Sequence, residues 1–110
     1  MHPDFACQSM IRKRRRDANH TAVVAAYLGA GCSVCDLALA GEGKPDLVVG
    51  IDGRVNDLVE IKNPAGRNRV EANQQQFATD WRGRKPLVVR TPDEARAHVR
   101  TVRDSLSEGG

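Results

Sequence analysis

Apolar and polar positions alternate between two periods along this chain. Ala22, Val23, Ala26 and Tyr27, with Val24 and Leu28 beside them, recur at helical spacing, and Gly29-Ala30-Gly31 stops the pattern. Asp17 stands where an N-cap is expected, and the turn after it is polar, with Asn19 and His20. Cys32 to Leu39 is a short apolar run that predicts a strand. Ala40-Gly41-Glu42-Gly43-Lys44-Pro45 then breaks any regular element. Asp46 to Ile51 and Val55 to Ile61, rich in Val, Ile and Leu, predict two strands folded about Asp52-Gly53. A polar, basic loop from Asn63 to Arg69 follows. Val70 to Arg82 predicts a helix with Val70, Asn73/Gln74, Phe77 and Trp81 on one face and Gly83 as its stop. Pro86 to Arg90 predicts a strand. Thr91-Pro92-Asp93-Glu94 opens a last helix, with Thr91 as N-cap, Pro92 at the first helical position and Glu94 closing a capping box. Ala95, Val99, Val102 and Leu106 form its apolar stripe, and Ser107 to Gly110 a frayed end. The order αβββαβα predicts an α/β fold, a mixed four-stranded sheet flanked by helices.

The hairpin carries the chemistry. If Asp52-Gly53-Arg54 is a three-residue loop, Ile51 faces Val55, and stepping outward places Asp46 opposite Glu60. Opposed residues of an antiparallel pair share a face, and Lys62 shares it too. A two-residue Asp-Gly turn would slip the register by one and send Asp46 to the other face, unless a bulge compensates. Two opposed carboxylates repel each other, and a divalent cation removes that repulsion. Mg²⁺ takes one or two carboxylates, completing its shell with waters and phosphate oxygens, and the Ile61 carbonyl is a further candidate ligand. Such a cation stabilises charge on a phosphate and activates a water. Lys62 is placed to orient or help deprotonate that water, or to neutralise the phosphorane. The bland alternative is a turn aspartate at Asp46 and a same-face surface ion pair between Glu60 and Lys62, which is worth little.

Length and charge add partners. A chain of 110 residues, 40% hydrophobic, makes one small domain, here expected over 17–106 behind a basic, flexible arm over 1–16. No long apolar run and no leader is visible, so a cytoplasmic protein without membrane association is expected. The net charge of +3 matters less than its clustering. Arg12, Lys13, Arg14, Arg15 and Arg16 form one block, and Arg67, Arg69, Arg82, Arg84 and Lys85 recur beside loops. This points to an anionic polymer, nucleic acid before membrane, with a solvated tail as the alternative for the terminal block. Of the three cysteines, Cys32 and Cys35 have the spacing of half a zinc site or of a redox pair, though a redox pair would sit at a strand-to-helix turn and these residues begin a strand. The absence of a second such pair favours buried or half-buried thiols.

Pro45-Asp46 … Glu60-Ile61-Lys62 resembles the PD-(D/E)xK nuclease signature. Its context is Gly43-Lys44-Pro45-Asp46-Leu47-Val48-Val49-Gly50, Leu58-Val59-Glu60-Ile61-Lys62, Gln74-Gln75-Gln76-Phe77 and Trp81-Arg82-Gly83. This is similar to the virus-type replication-repair nuclease branch, related to Holliday-junction resolvases and common in phages. The resemblance covers the chain from about Asp17 to Ala95. It implies a restriction-endonuclease-like fold and a Mg²⁺- or Mn²⁺-dependent endonuclease acting on duplex or branched DNA as a homodimer, without a small-molecule cofactor. It also implies a glutamine at the start of the second helix, matched by Gln74 with Gln75 and Gln76 as rivals. A first-helix acidic ligand is matched by Asp17, with Asn19 and His20 as rivals. The implied site is therefore Asp46, Glu60, Lys62 and Gln74, with metal held by Asp46, Glu60, the Ile61 carbonyl and Asp17. Arg12 to Arg16, Arg67 and Arg69 would hold phosphates.

Other readings remain. The chain could be a non-catalytic nucleic-acid-binding module of the same fold, or a zinc protein using Cys32 and Cys35. His20 and His98 read as surface histidines. Tyr27, Phe77 and Trp81 read as core by spacing, and aromatics at 4% leave little material for base stacking.

Overall fold

The computed structural model describes residues 18–37, 43–63 and 72–109. Helix α1 (Ala18–Gly29) leads into strands β1 (Ser33–Asp36), β2 (Leu47–Ile51) and β3 (Val55–Ile61). Helix α2 (Ala72–Asp80), strand β4 (Leu87–Val89) and helix α3 (Pro92–Gly109) follow, so the expected element order is found. The sheet order is β1-β2-β3-β4; the first two pairings are antiparallel and β3–β4 is parallel. The result is a mixed, open α/β sheet. Asp17, the block Arg12 to Arg16, Cys7, Arg67, Arg69 and the expected helix start at Val70 lie outside the described residues.

The hairpin register is the one on which the site depends. Asp52 and Gly53 both have positive φ, 56° and 69°, as the two central residues of a type I′ turn do, and Arg54 N–H bonds the Ile51 carbonyl. Arg54 is nevertheless left over as an extra residue, so Ile51 pairs with Val55 and Leu47 with Val59. The turn is thus Asp-Gly in conformation and three residues in register, the compensated case. Arg103 of α3 grips both oxygens of Asp52 at 3.0 Å and ties the turn to that helix.

Alternation along the strands decides the core. Leu47, Val49 and Ile51 of β2, with Val59 and Val34, present one buried face. Val23, Ala26 and Tyr27 of α1 and Ala95, Val99 and Val102 of α3 cover it, so one layer of two mutually packed helices seals this side. Helix α1 ends in a Schellman motif: Gly31 has φ 89°, Cys32 N–H reaches the Tyr27 carbonyl and Gly31 N–H the Leu28 carbonyl. At α3, Thr91 Oγ1 accepts the Glu94 N–H at 3.1 Å. The Glu94 carboxylate reaches back to the Arg90 N–H, one residue before the cap. The expected frayed end is helical, α3 continuing to Gly109.

Helix α2 departs from expectation. It buries none of its residues, and Trp81 is 41% exposed, so Phe77 and Trp81 do not belong to the core. The helical spacing is real, but the core is already filled from the opposite face by α1 and α3. Gly83 does not end this helix by its own conformation. The Lys85 ammonium does so, donating to the carbonyls of Ala78 and Trp81 at 2.7 and 2.6 Å.

Candidate functional site

One end of the sheet gathers the chemistry. β2 begins there, β1, β3 and β4 end there, and α1 begins there. One step beyond the Leu47–Val59 pair, the Asp46 N–H bonds the Val59 carbonyl, which sets the Asp46 and Glu60 carboxyls near enough for each to perturb the other's ionisation. Asp46 Oδ2 also accepts the Ile61 N–H at 2.7 Å, capping the end of the ladder and fixing its own rotamer. Two residues on, Lys62 places Nζ 3.7 Å from Glu60 Oε2.

Gln74 closes the arrangement from α2. Its Nε2 donates to Glu60 Oε2 at 2.6 Å, and its Oε1 accepts from Lys62 Nζ at 3.0 Å. One amide therefore reads the anion and the cation together, a role that needs both a donor and an acceptor. This geometry singles out Gln74 from Gln75 and Gln76; Gln76 spends its amide on Asp80 within the helix. The approach of α2 rests on Gly43. A Cβ there would lie 2.5 Å from the Asn73 carbonyl oxygen, and its φ of 81° also favours glycine.

Helix α1 supplies the framing. Asn19 Nδ2 donates to the Lys62 and Arg90 carbonyls at 3.2 and 3.0 Å, binding the ends of β3 and β4 together. His20, against expectation, is buried, and its Nε2 hydrogen-bonds Asp36 Oδ2 at 2.9 Å. His20, Val23 and Tyr27 follow i, i+3, i+7, so His20 sits in the buried stripe of α1, a signal already present in the spacing. Both rivals for a first-helix ligand are thus engaged in holding the strand ends, and Asp17 lies outside the described residues.

The electrostatics are those of a strained acid pair. Burial, then the Asp46 carboxylate, raise the Glu60 carboxyl to about 7; Lys62 and Gln74 oppose the rise. Burial raises Asp46 as well, with the Ile61 N–H and then His20 opposing. The pair therefore retains a proton far above the usual carboxylate range. Among the described residues no group of three or more His, Cys, Asp or Glu side chains forms an all-protein metal cage. The site's donors are oxygens: the Asp46 and Glu60 carboxylates, with the Gln74 amide oxygen beside them on Lys62. That set suits a hard divalent cation that keeps several waters, as Mg²⁺ does. Cys32 is buried and Cys35 half-buried, and neither forms a disulfide.

A second polar cluster lies apart from this one and was not expected. Asp57 points into the core face, where it binds Arg84 through both oxygens and His98 Nε2 at 2.7 Å. The other His98 nitrogen bonds the Tyr27 hydroxyl at 2.8 Å. Burial would raise Asp57, but Arg84 and His98 outweigh it and hold the carboxyl below its ordinary range. His98 is therefore a core histidine, not a surface one. Its position between Ala95 and Val102 on the apolar stripe was the available signal, as was the inward place of Asp57 between Val55 and Val59.

No helix among the described residues is long and apolar enough to cross a membrane. No protein-family model matches the chain, and comparisons with curated proteins and with solved structures find no match.

Proposed function

We propose that this chain is a Mg²⁺- or Mn²⁺-dependent nuclease of restriction-endonuclease-like fold that hydrolyses phosphodiester bonds in DNA. The observation that carries the reading is the convergence of Asp46, Glu60, Lys62 and Gln74 at one sheet end. A structural role has little use for two half-buried carboxyls side by side, since their repulsion costs stability. Asp46 and Glu60 would hold the cation, which when bound supplies charge stabilisation at a phosphate and an acidified water. Lys62 presents an ammonium group to orient the attacking water or to neutralise the phosphate as it gains charge. Gln74 holds Glu60 and Lys62 at a set spacing and restricts rotation of both. The half-buried position of the site limits bulk water, which strengthens each of these interactions.

The test is a cleavage panel of duplex, nicked, flap, splayed and four-way-junction DNA, with single-stranded RNA beside them, under Mn²⁺. Cleavage of at least one DNA that is abolished by EDTA and reduced about 100-fold or more by Lys62→Ala is expected. If every DNA stays intact, or the Lys62→Ala protein cuts as fast as the parent, the enzyme reading fails. Salt-sensitive binding without cleavage would instead assign the chain as a non-catalytic module of the same fold.

A further inference from the structure

Helix α2 carries a half-buried Phe77 and leads into an exposed Trp81 on the side that carries Gln74. Gln74, Phe77, Ala78 and Trp81 follow i, i+3, i+4, i+7, one helical stripe. The Trp81 N–H still bonds the Phe77 carbonyl, so Trp81 continues the turn although it lies just past the helix. The rings of Phe77 and Trp81 are stacked, with centroids 5.3 Å apart and planes 13° from parallel. Gly83 lies against the N–H edge of the indole, where a Cβ would sit 2.8 Å from Trp81 Nε1, so the contact steadies the ring without covering its second face. The indole is thus set in one pose by Phe77 and the Gly83 backbone while 41% of the residue stays exposed. A core would bury these rings, and an ordinary solvated helix would not carry them.

The surroundings fit one occupant. Asn73, Gln76, Phe77, Asp80 and Trp81 line a cavity of about 360 Å³, an aromatic wall rimmed by amide and carboxylate groups. An aromatic plane matches the face of a nucleobase, and Asn73 stands at its rim beside the Gln76–Asp80 pair, whose groups bond each other. Arg82, exposed beside Trp81, supplies a cation for the backbone of such a strand. Along the helix, Trp81 lies about 10 Å from Gln74, or about three stacked nucleotide steps at roughly 3.4 Å each. A second copy of the chain fits less well, since a stable dimer buries roughly 800 Å² per partner and α2 offers two aromatic rings among polar residues.

We propose that the Phe77–Trp81 pair is a stacking subsite for an unpaired base of the DNA strand that runs into the Asp46–Glu60 site. This rests on the nuclease reading for its strand and deepens it, because it favours substrates with unpaired bases, such as flaps and splayed arms, over intact duplex.

Trp81 is the one tryptophan of the chain, so intrinsic fluorescence reports on it alone. The full chain is titrated in EDTA, where cleavage plays no part, with an oligothymidylate, an abasic strand of equal length and a blunt duplex. The expected result is quenching by oligothymidylate and little by the abasic strand. Trp81→Ala, followed by anisotropy of a labelled strand, is expected to weaken single-strand binding roughly 5- to 150-fold. Trp81→Phe is expected to recover most of that affinity, which mere disturbance of α2 would not explain. Equal quenching by the abasic strand, or undiminished binding by Trp81→Ala, overturns the proposal. Emission that changes with protein concentration alone assigns the pair to a second copy and overturns it as well. Base-dependent quenching without Mn²⁺ cleavage supports the subsite and sinks the nuclease reading; cleavage without quenching does the reverse.

Discussion

Replacing Glu60 by glutamine tests the strained acid pair directly. Glu60 ionises near 4.5 in an unfolded chain and at about 7 in the fold, where burial and the Asp46 carboxylate disfavour its charge. The folded protein therefore binds more protons than the unfolded one between these values. Stability that is present at pH 4.5 is lost as pH rises through about 7. Each pH unit is worth roughly 1.4 kcal/mol, so the loss across the whole window comes to somewhat more than about 3 kcal/mol. That is a large share of the roughly 5–15 kcal/mol that holds a small domain together. Glu60→Gln removes the titration and can still accept the Gln74 amide N–H. Urea unfolding at pH 5.5 and pH 8 in EDTA is the assay. The parent is expected to be less stable at pH 8 than at 5.5 by about 2 kcal/mol more than the variant is. Comparing the two proteins cancels the histidines, and Asp57, held low, titrates below this range. Mn²⁺ is expected to restore the parent at pH 8 and to leave Glu60→Gln nearly unmoved. If the two proteins show the same dependence on pH, Glu60 is not a strained acid. If Mn²⁺ stabilises both equally, the cation binds elsewhere.

Three further outcomes follow from the same geometry. Gln74→Ala is expected to release α2 from Glu60 and Lys62 and raise hydrogen exchange in that helix, while Gln75→Ala leaves exchange unchanged; equal effects would refute the bridging role. Asp57→Ala strands His98, Tyr27 and Arg84 around a buried vacancy and is expected to cost about 3 kcal/mol in chemical denaturation. Because Asp57 is held low, that difference is present above the usual aspartate range and shrinks as pH falls through it, to be read from unfolding at pH 3 and pH 6. Gly43→Ala forces a Cβ against the Asn73 carbonyl at positive φ and is expected to cost about 1–3 kcal/mol. It should raise exchange in α2 as Gln74→Ala does, and an unchanged melting temperature would count against this contact.

The hairpin shows how far local pattern reaches. Its strands and turn residues were readable from strand period and turn chemistry, while the pairing of Ile51 with Val55 was one of two registers the pattern allowed, and the extra residue Arg54 decided it. The face shared by Asp46, Glu60 and Lys62 followed from that register. The choice of Gln74 among three consecutive glutamines did not. It depends on where α2 lies over the sheet, and the Gly43–Asn73 approach decides that. Phe77 and Trp81 misled because helical spacing says that residues share a side, not that anything covers that side. His20 and His98, expected at the surface, are buried, and Asp57, which drew no expectation, is buried with them. They occupy apolar-stripe or inward strand positions, and polar type outweighed position in the reading.

By itself, then, the sequence determined the order of elements, the α/β class, the two hairpin strands and the hydrophobic faces of α1 and α3. These depend on interactions between residues near in the chain or paired by a short loop. The tertiary structure alone decided which polar groups are buried, which aromatic rings are exposed and which glutamine meets Glu60 and Lys62. Each of these depends on the layer that arrives from elsewhere in the chain. With α1 and α3 sealing one face of the sheet, α2 is left on the surface, and its Gln74 and Trp81 are set by where that surface helix docks rather than by any local signal.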